Sequence, residues 1–269
     1  MNRTDRCFGT PLKRVSHNCF ELSLTKYEPH QVIDFHYHTS PYYSMVLAGG
    51  YYERNEFEST PVSDGVLVSR PSDYLHHNVF GKNLTYCFNI EFPEYNTFNF
   101  HNELKKTRYS LNNSGPPKIH LWKLYQGFLD DSTPLEMESV LMEMIAEEHR
   151  LNHQPKKSAH VTGWLTKLEE YLNSHWDDKT SLKELSELVN VSPIYMIRAF
   201  KNKYGMTIGE YHVRVRLNHA VRCLMNSHQS VSETAFQCGF YDQSHFTKNF
   251  KRVFGRPPSD FQKTVKKFI

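Results

Sequence analysis

Arg198, Lys201, Gln243, Ser244, Thr247, Lys248 and Lys251 are hydrogen-bonding side chains that fall in two groups about fifty residues apart. Within each group most are three, four or seven residues apart, the spacing that lines up one face of a helix. A guanidinium can give two parallel hydrogen bonds to one flat edge, and a Gln amide can give one and accept one. Those geometries suit guanine and adenine edges respectively. Lys ammoniums are point charges that suit phosphate oxygens, which position a partner without reading its sequence. Ile194, Tyr195 and Ile197 accompany Arg198, so the first group has a more apolar front than the second.

Such side chains need a rigid element behind them, and each group sits in one copy of a repeated pattern. The copies span residues 181–205 and 230–255. Ser181 with Glu184, and Ser230 with Glu233, fit a capping box, in which the Ser oxygen takes an orphan amide and the Glu reaches back. Each opens a helix of about two turns that stops near Asn190 or Gly239, residues that tolerate left-handed backbone. Ser192-Pro193 starts the next helix in the first copy, and Asp242 caps it in the second. Met196, Phe200 and Tyr204, and then Phe246, Phe250 and Phe254, form apolar stripes at helical spacing. Both second helices end at a glycine, Gly205 and Gly255. Helix, tight turn, helix is the helix-turn-helix plan, whose second helix can enter the DNA major groove. Lys203 and Arg252 join Lys201 and Lys251 as candidate phosphate contacts.

Charge is distributed accordingly. Residues 160–269 hold sixteen Lys and Arg against ten Asp and Glu, whereas residues 1–159 hold sixteen against nineteen. A basic C-terminal part joined to an acidic N-terminal part is the footprint of a nucleic-acid-binding module attached to something else.

Residues 161–269 resemble the DNA-binding domain of AraC/XylS-type bacterial transcription regulators. The most specific stretch is Glu233–Phe261; it departs from the family pattern at Thr234 and Cys238, and Gln262 just beyond it departs too. The resemblance implies two helix-turn-helix units joined by a long helix, matched here by Ile208–Asn226 with Thr207 and Glu210 as a further capping box. It places Ile194, Ile197, Arg198, Gln243, Ser244, Thr247 and Lys248 towards bases. It also implies promoter DNA and RNA polymerase as partners, and a role without catalysis.

The chain has 269 residues, enough for two domains. Its five Cys are scattered without metal-site spacing, which argues for free thiols in a reducing cytoplasm. The start lacks an apolar export stretch, and the apolar run around Tyr42–Gly50 is too short to span a bilayer, so a cytoplasmic protein without membrane association is expected.

From Phe20 to Phe92 the chain reads as short strands near Cys19–Thr25, Val32–Tyr37, Tyr43–Leu47, Tyr51–Phe57, Gly65–Ser69, Leu75–Phe80 and Thr85–Phe92. Dense Tyr, Phe, Val and Thr with regular turn residues point to a sandwich or small barrel. His36-Tyr-His38, Val46-Leu-Ala-Gly49, Gly65, Pro71 and His76 resemble the two cupin motifs. Enzymatic cupins hold a metal with two His, a Glu and a later His; the Glu position here is Tyr42 or Tyr43. Three neutral imidazoles suit a first-row divalent metal, but no carboxylate is present and no partner that would fix their tautomers can be read from sequence. The expectation is therefore a ligand pocket built on His36, His38, Tyr43 and His76, with no metal, cofactor or catalytic residue. Tyr37, Tyr42, Tyr51 and Tyr52 lie on the same strands and suit stacking on a small molecule.

Residues 93–117 read as an irregular connection or lid. Helices are expected at Lys118–Leu129 and Pro134–Leu151, the second capped by Thr133. Its stripe of Leu135, Val140, Leu141, Met144 and Ile145 fits either a homodimer contact or packing on its own chain. His153–Ser158 reads as a linker, and Val161–Trp176, with Leu165, Leu168 and Leu172, starts the last domain. The expected organisation is multidomain: a cupin-like all-β barrel over 1–117, a helical connecting or dimerisation region over 118–152, a linker over 153–160, and an all-α domain with two helix-turn-helix motifs over 161–269. The function this implies is regulation of transcription by sequence-specific DNA binding, controlled by a small-molecule effector. An effector-independent or metal-responsive regulator is the alternative, and the absent carboxylate argues against a cupin-type enzyme.

Overall fold

The computed structural model describes residues 2–4, 8–93, 109–112, 117–152, 159–225 and 229–267. The linker expected at His153–Ser158 and most of the connection at 93–117 lie outside them. The chain forms two compact units, one within Met1–Asn113 and one within Ser114–Lys267.

The first unit is two sheets. One runs in the order β1 (Asn2–Thr4), β4 (Val32–His38), β9 (His76–Phe80), β6 (Gly50–Arg54), β7 (Ser59–Ser63). The other runs β11 (Ser110–Asn112), β8 (Leu67–Arg70), β5 (Tyr42–Ala48), β10 (Thr85–Glu91), β3 (Glu21–Tyr27), β2 (Thr10–Ser16). Neighbours are antiparallel except β1 beside β4. Among the described residues the two ladders do not join into one closed barrel, so the observed architecture is a sandwich. Its core includes Tyr27, Val46, Val68 and Cys87 from one sheet and Ile33, Tyr51, Val62 and Phe80 from the other. Alternation explains most of this, because successive strand residues point to opposite faces. In β6, Tyr51 and Glu53 are buried while Tyr52 and Arg54 are exposed. In β4 the pairing with β9 shifts register between Ile33 and His36. An irregularity of this kind re-aims side chains, and it lets Ile33, His36 and His38 all be buried.

The second unit is helical. A hairpin of α1 (Pro117–Leu129) and α2 (Pro134–Asn152) precedes α3 (Ala159–Ser174). Thr133 caps α2, its hydroxyl and amide both bonded to Glu136. Of the stripe expected on α2, Leu141 and Met144 are buried, Val140 and Ile145 are half-buried, and Leu135 is exposed. The first repeat follows as α4 (Leu182–Val189) and α5 (Pro193–Tyr204), then the long α6 (Ile208–Met225). The second repeat is α7 (Val231–Gln237) and α8 (Gln243–Phe254), followed by α9 (Pro258–Val265). Trp164, Leu165, Leu168, Leu185, Met196, Phe200, Tyr204 and Tyr211 build the core of the first repeat. Phe246, Phe250, Phe254 and Phe261 pack together in the second. Helix α6 contacts elements of both, and its Leu217, Ala220, Val221 and Leu224 are fully buried. That burial makes α6 a rigid spacer between the repeats.

Candidate nucleic-acid interface and an interior histidine cluster

Local chemistry sets both recognition helices. Ser181 and Ser230 form complete capping boxes with Glu184 and Glu233. The amides of the two Ser residues hold these Glu carboxyls below their usual range. Asn190 ends α4 in the left-handed conformation at φ 53°. Gly239 closes the second turn at φ 72°, where an added Cβ would lie 2.6 Å from the Asp177 Cα, so only glycine fits. Asp242 accepts a 2.6 Å hydrogen bond from the His245 amide at the start of α8. Ser192 stands at the N-cap of α5 without a side-chain cap bond, and Pro193 supplies the helical start instead.

The stripes face inward as the spacing predicts: Met196, Phe200, Tyr204, Phe246, Phe250 and Phe254 are all buried. Ile194, Tyr195, Arg198 and Lys201 are exposed on α5, and Gln243, Ser244, Lys248 and Lys251 on α8. Ile197 and Thr247 are half-buried at the margins. Ile194 is 67% exposed and Tyr195 44%, with the Tyr195 ring 5.7 Å from Trp164. Lys203 is 3.7 Å from Glu169, so it is tied to the scaffold more than its neighbour Lys201. Arg252 donates to Asn249 at 2.9 Å. Tyr241, 74% exposed with the Lys179 ammonium over its ring, is a feature of the second turn that the sequence reading passed over. The aromatic immediately before the Asp242 cap was the available signal.

Inside the β unit, His36, His38 and His76 meet. Ring centroids are 4.2 Å apart for His36 and His76, 5.2 Å for His36 and His38, and 5.6 Å for His38 and His76. The ring Nδ1 of His36 lies 2.8 Å from the Asp34 carbonyl, and that of His76 lies 2.9 Å from the Tyr74 carbonyl. The Tyr42 hydroxyl is 3.2 Å from His76 Nε2. Burial lowers the pKa of all three imidazoles, to about 3 for His38, so they are neutral at physiological pH.

His36, His38 and Tyr42 line a cavity of about 30 Å³ with Tyr51, Arg70 and Asn78. Tyr43 is not among its lining residues; it is buried with its ring against Phe92. Sequence reasoning missed the buried ion pair of Arg70 and Glu53. Arg70 also donates to the Tyr51 hydroxyl at 2.7 Å and lies 5.0 Å from the Tyr42 ring centroid. Asn78 donates to Glu53 at 3.4 Å.

Comparison with known proteins bears on the helical unit. A family model described as a helix-turn-helix domain matches residues 185–264. The Msm operon regulatory protein of Streptococcus mutans is 26% identical over 125 residues, 46% of this chain and 45% of that protein. The HTH-type transcriptional activator RhaS of Yersinia pestis is 32% identical over 125 residues, again 46% and 45%. A solved structure of a probable AraC family transcriptional regulator from Rhodopseudomonas palustris is similar at 27% identity and a TM-score of 0.36, over 38% of this chain and 96% of that one. In its C-terminal part the chain carries the helix-turn-helix domain of AraC/XylS-type transcription regulators. The matched stretch spans under half the length of those two curated relatives. Among the described residues, no helix is long and apolar enough to cross a membrane.

Proposed function

We propose that this chain regulates transcription by binding promoter DNA at two adjacent major-groove segments. The observation that carries this reading is the pair of capped helices, α5 and α8, with hydrogen-bonding and cationic fronts and buried aromatic backs, fastened to one buried helix, α6. In this reading Arg198 and Gln243 take base edges, with Ile194, Tyr195, Ile197, Ser244, Thr247 and Lys248 beside them. Lys201 and Lys251 take phosphates. The double helix-turn-helix domain occupies 161–269, preceded by the linker at 153–160, and the helical region over 118–152 offers a homodimer contact through Leu135. The sandwich over 1–117 is a cupin-like sensing unit, and binding there changes how the protein recruits RNA polymerase in the cytoplasm. Selection of bound duplexes from a randomised pool by the full chain tests the central claim. The expected result is a consensus of two unlike half-sites, and recovery of random sequence would count against it.

A further inference from the structure

The sequence gives no reason for the histidine tautomers to be fixed, and the structure supplies one. A backbone carbonyl can only accept a hydrogen bond. The contacts of His36 with Asp34 and of His76 with Tyr74 therefore put the proton on Nδ1 of each ring. Each Nε2 is left with its lone pair. Metal-ligating histidines are oriented in this way, the second ring nitrogen donating to a carbonyl or carboxylate. One ring nitrogen from each of His36, His38 and His76 lies within 4.8 Å of the others, and all three residues are buried. His36 and His76 are opposite each other in the β4–β9 register, so backbone pairing holds them together.

From this geometry we propose that His36, His38 and His76 bind one first-row divalent cation, such as Zn²⁺, in the interior of the β unit. Nitrogen atoms sharing a tetrahedral Zn²⁺ at about 2.1 Å are about 3.4 Å apart, so the rings close by about 1 Å on binding. That is a rotation within one rotamer well. The nearest fixed positive charge, Arg70, is neutralised by Glu53, which removes the main electrostatic objection. Without a cation, the Tyr42 hydroxyl donates to the His76 Nε2 lone pair. The cation takes that lone pair over and leaves the hydroxyl, or a water beside it, at the open fourth position. This site stands apart from the DNA-binding reading and does not depend on it.

The test uses the full chain, stripped with a chelator and titrated with Zn²⁺ alone against a chromophoric competitor. The expected result is one Zn²⁺ per chain, weakened at least about 10- to 100-fold, the loss typical of outer-shell changes alone, in His36→Ala and His76→Ala. Affinity should be unchanged in His30→Ala, an exposed loop histidine. Tyr42→Phe should keep stoichiometric binding, since three imidazoles suffice. Uptake indifferent to His36→Ala and His76→Ala, or lost in a folded Tyr42→Phe protein, would overturn the assignment. If both alanine variants fail to fold, Co²⁺ added to the unaltered chain decides. An intense visible band saturating at one equivalent supports the site, and only the weak spectrum of hydrated Co²⁺ overturns it.

Discussion

Arg198 is the side chain whose removal best separates reading from holding. It is exposed on α5 between buried Met196 and Phe200, so the helix that carries it is anchored independently of it. Arg and Ala have similar helix propensities, and surface substitutions change stability by about 0.5 kcal/mol or less. Arg198→Ala should therefore leave unfolding unchanged. A guanidinium bidentate to guanine is worth about 1–3 kcal/mol of discrimination. The variant should lose roughly 5- to 150-fold in affinity for its selected site, from tenfold per 1.4 kcal/mol, and much less for duplexes changed at one base pair of the first half-site. Lys251→Ala is the matched control. It should weaken all sequences alike and reduce the slope of log affinity against log salt by about 0.9. The assay is fluorescence anisotropy on the selected duplex and its single-base variants at two salt concentrations. Unchanged base preference in a normally folded Arg198→Ala protein would remove α5 from the groove.

Hydroxyl-radical footprinting should show two protected segments about 34 Å apart on one DNA face for each chain, and a single protected groove would contradict the role given to α6. Phe250 is fully buried, with ring centroids of Phe254, Phe246 and Phe261 at 4.5, 5.6 and 5.7 Å. Phe250→Ala should cost about 3–5 kcal/mol in denaturant unfolding of the helical unit and abolish the second footprint. His219 is stacked on Trp176 at 3.9 Å, and burial followed by Arg222 and Lys118 lowers its pKa to about 4. Between pH 6.5 and 4 the unfolded chain takes a proton that folded His219 refuses, so stability should fall with pH, by at most about 1.4 kcal/mol per unit. His219→Gln should flatten that part of the profile, and an unchanged slope would refute the assignment.

The helical unit was legible because its signals are local. Capping boxes, the left-handed Asn190, and glycines ending α5 and α8 act within three or four residues, and the stripes within two turns. The expected long helix and its Thr207–Glu210 cap are present, with hydrogen bonds of 2.8–3.2 Å. The β unit was legible only in its central strands. Strands β2 and β7 were not anticipated: in β2, Pro11, Lys13 and Arg14 look like loop residues but suit an edge strand, where charge blunts further pairing. The choice of Tyr43 over Tyr42 for the pocket turned on strand parity, which is set by cross-strand register and not by spacing along the chain. Arg70 and Glu53 meet across two different sheets, so neither residue's neighbours in sequence announce the pair.

The repeat also carries information in its mismatches. Helices α5 and α8 have the same length and caps at equivalent places, so Ile194 corresponds to Ser244, Ile197 to Thr247, Arg198 to Lys248 and Lys201 to Lys251. The cationic positions are kept and the neighbours are not. A single exposed Ile is ordinary on a protein surface. An exposed Ile and Tyr at the head of α5, beside Arg198, leave an apolar patch where α8 presents Gln243 and Ser244. Apolar side chains in the major groove find one good partner, the thymine methyl, whereas amides and hydroxyls bond to base edges. Two frameworks alike in their backs and phosphate contacts but unlike in their fronts are suited to unlike half-sites. The two helices then cannot exchange places on DNA, and the direction in which the chain lies along a promoter follows from the order of those half-sites.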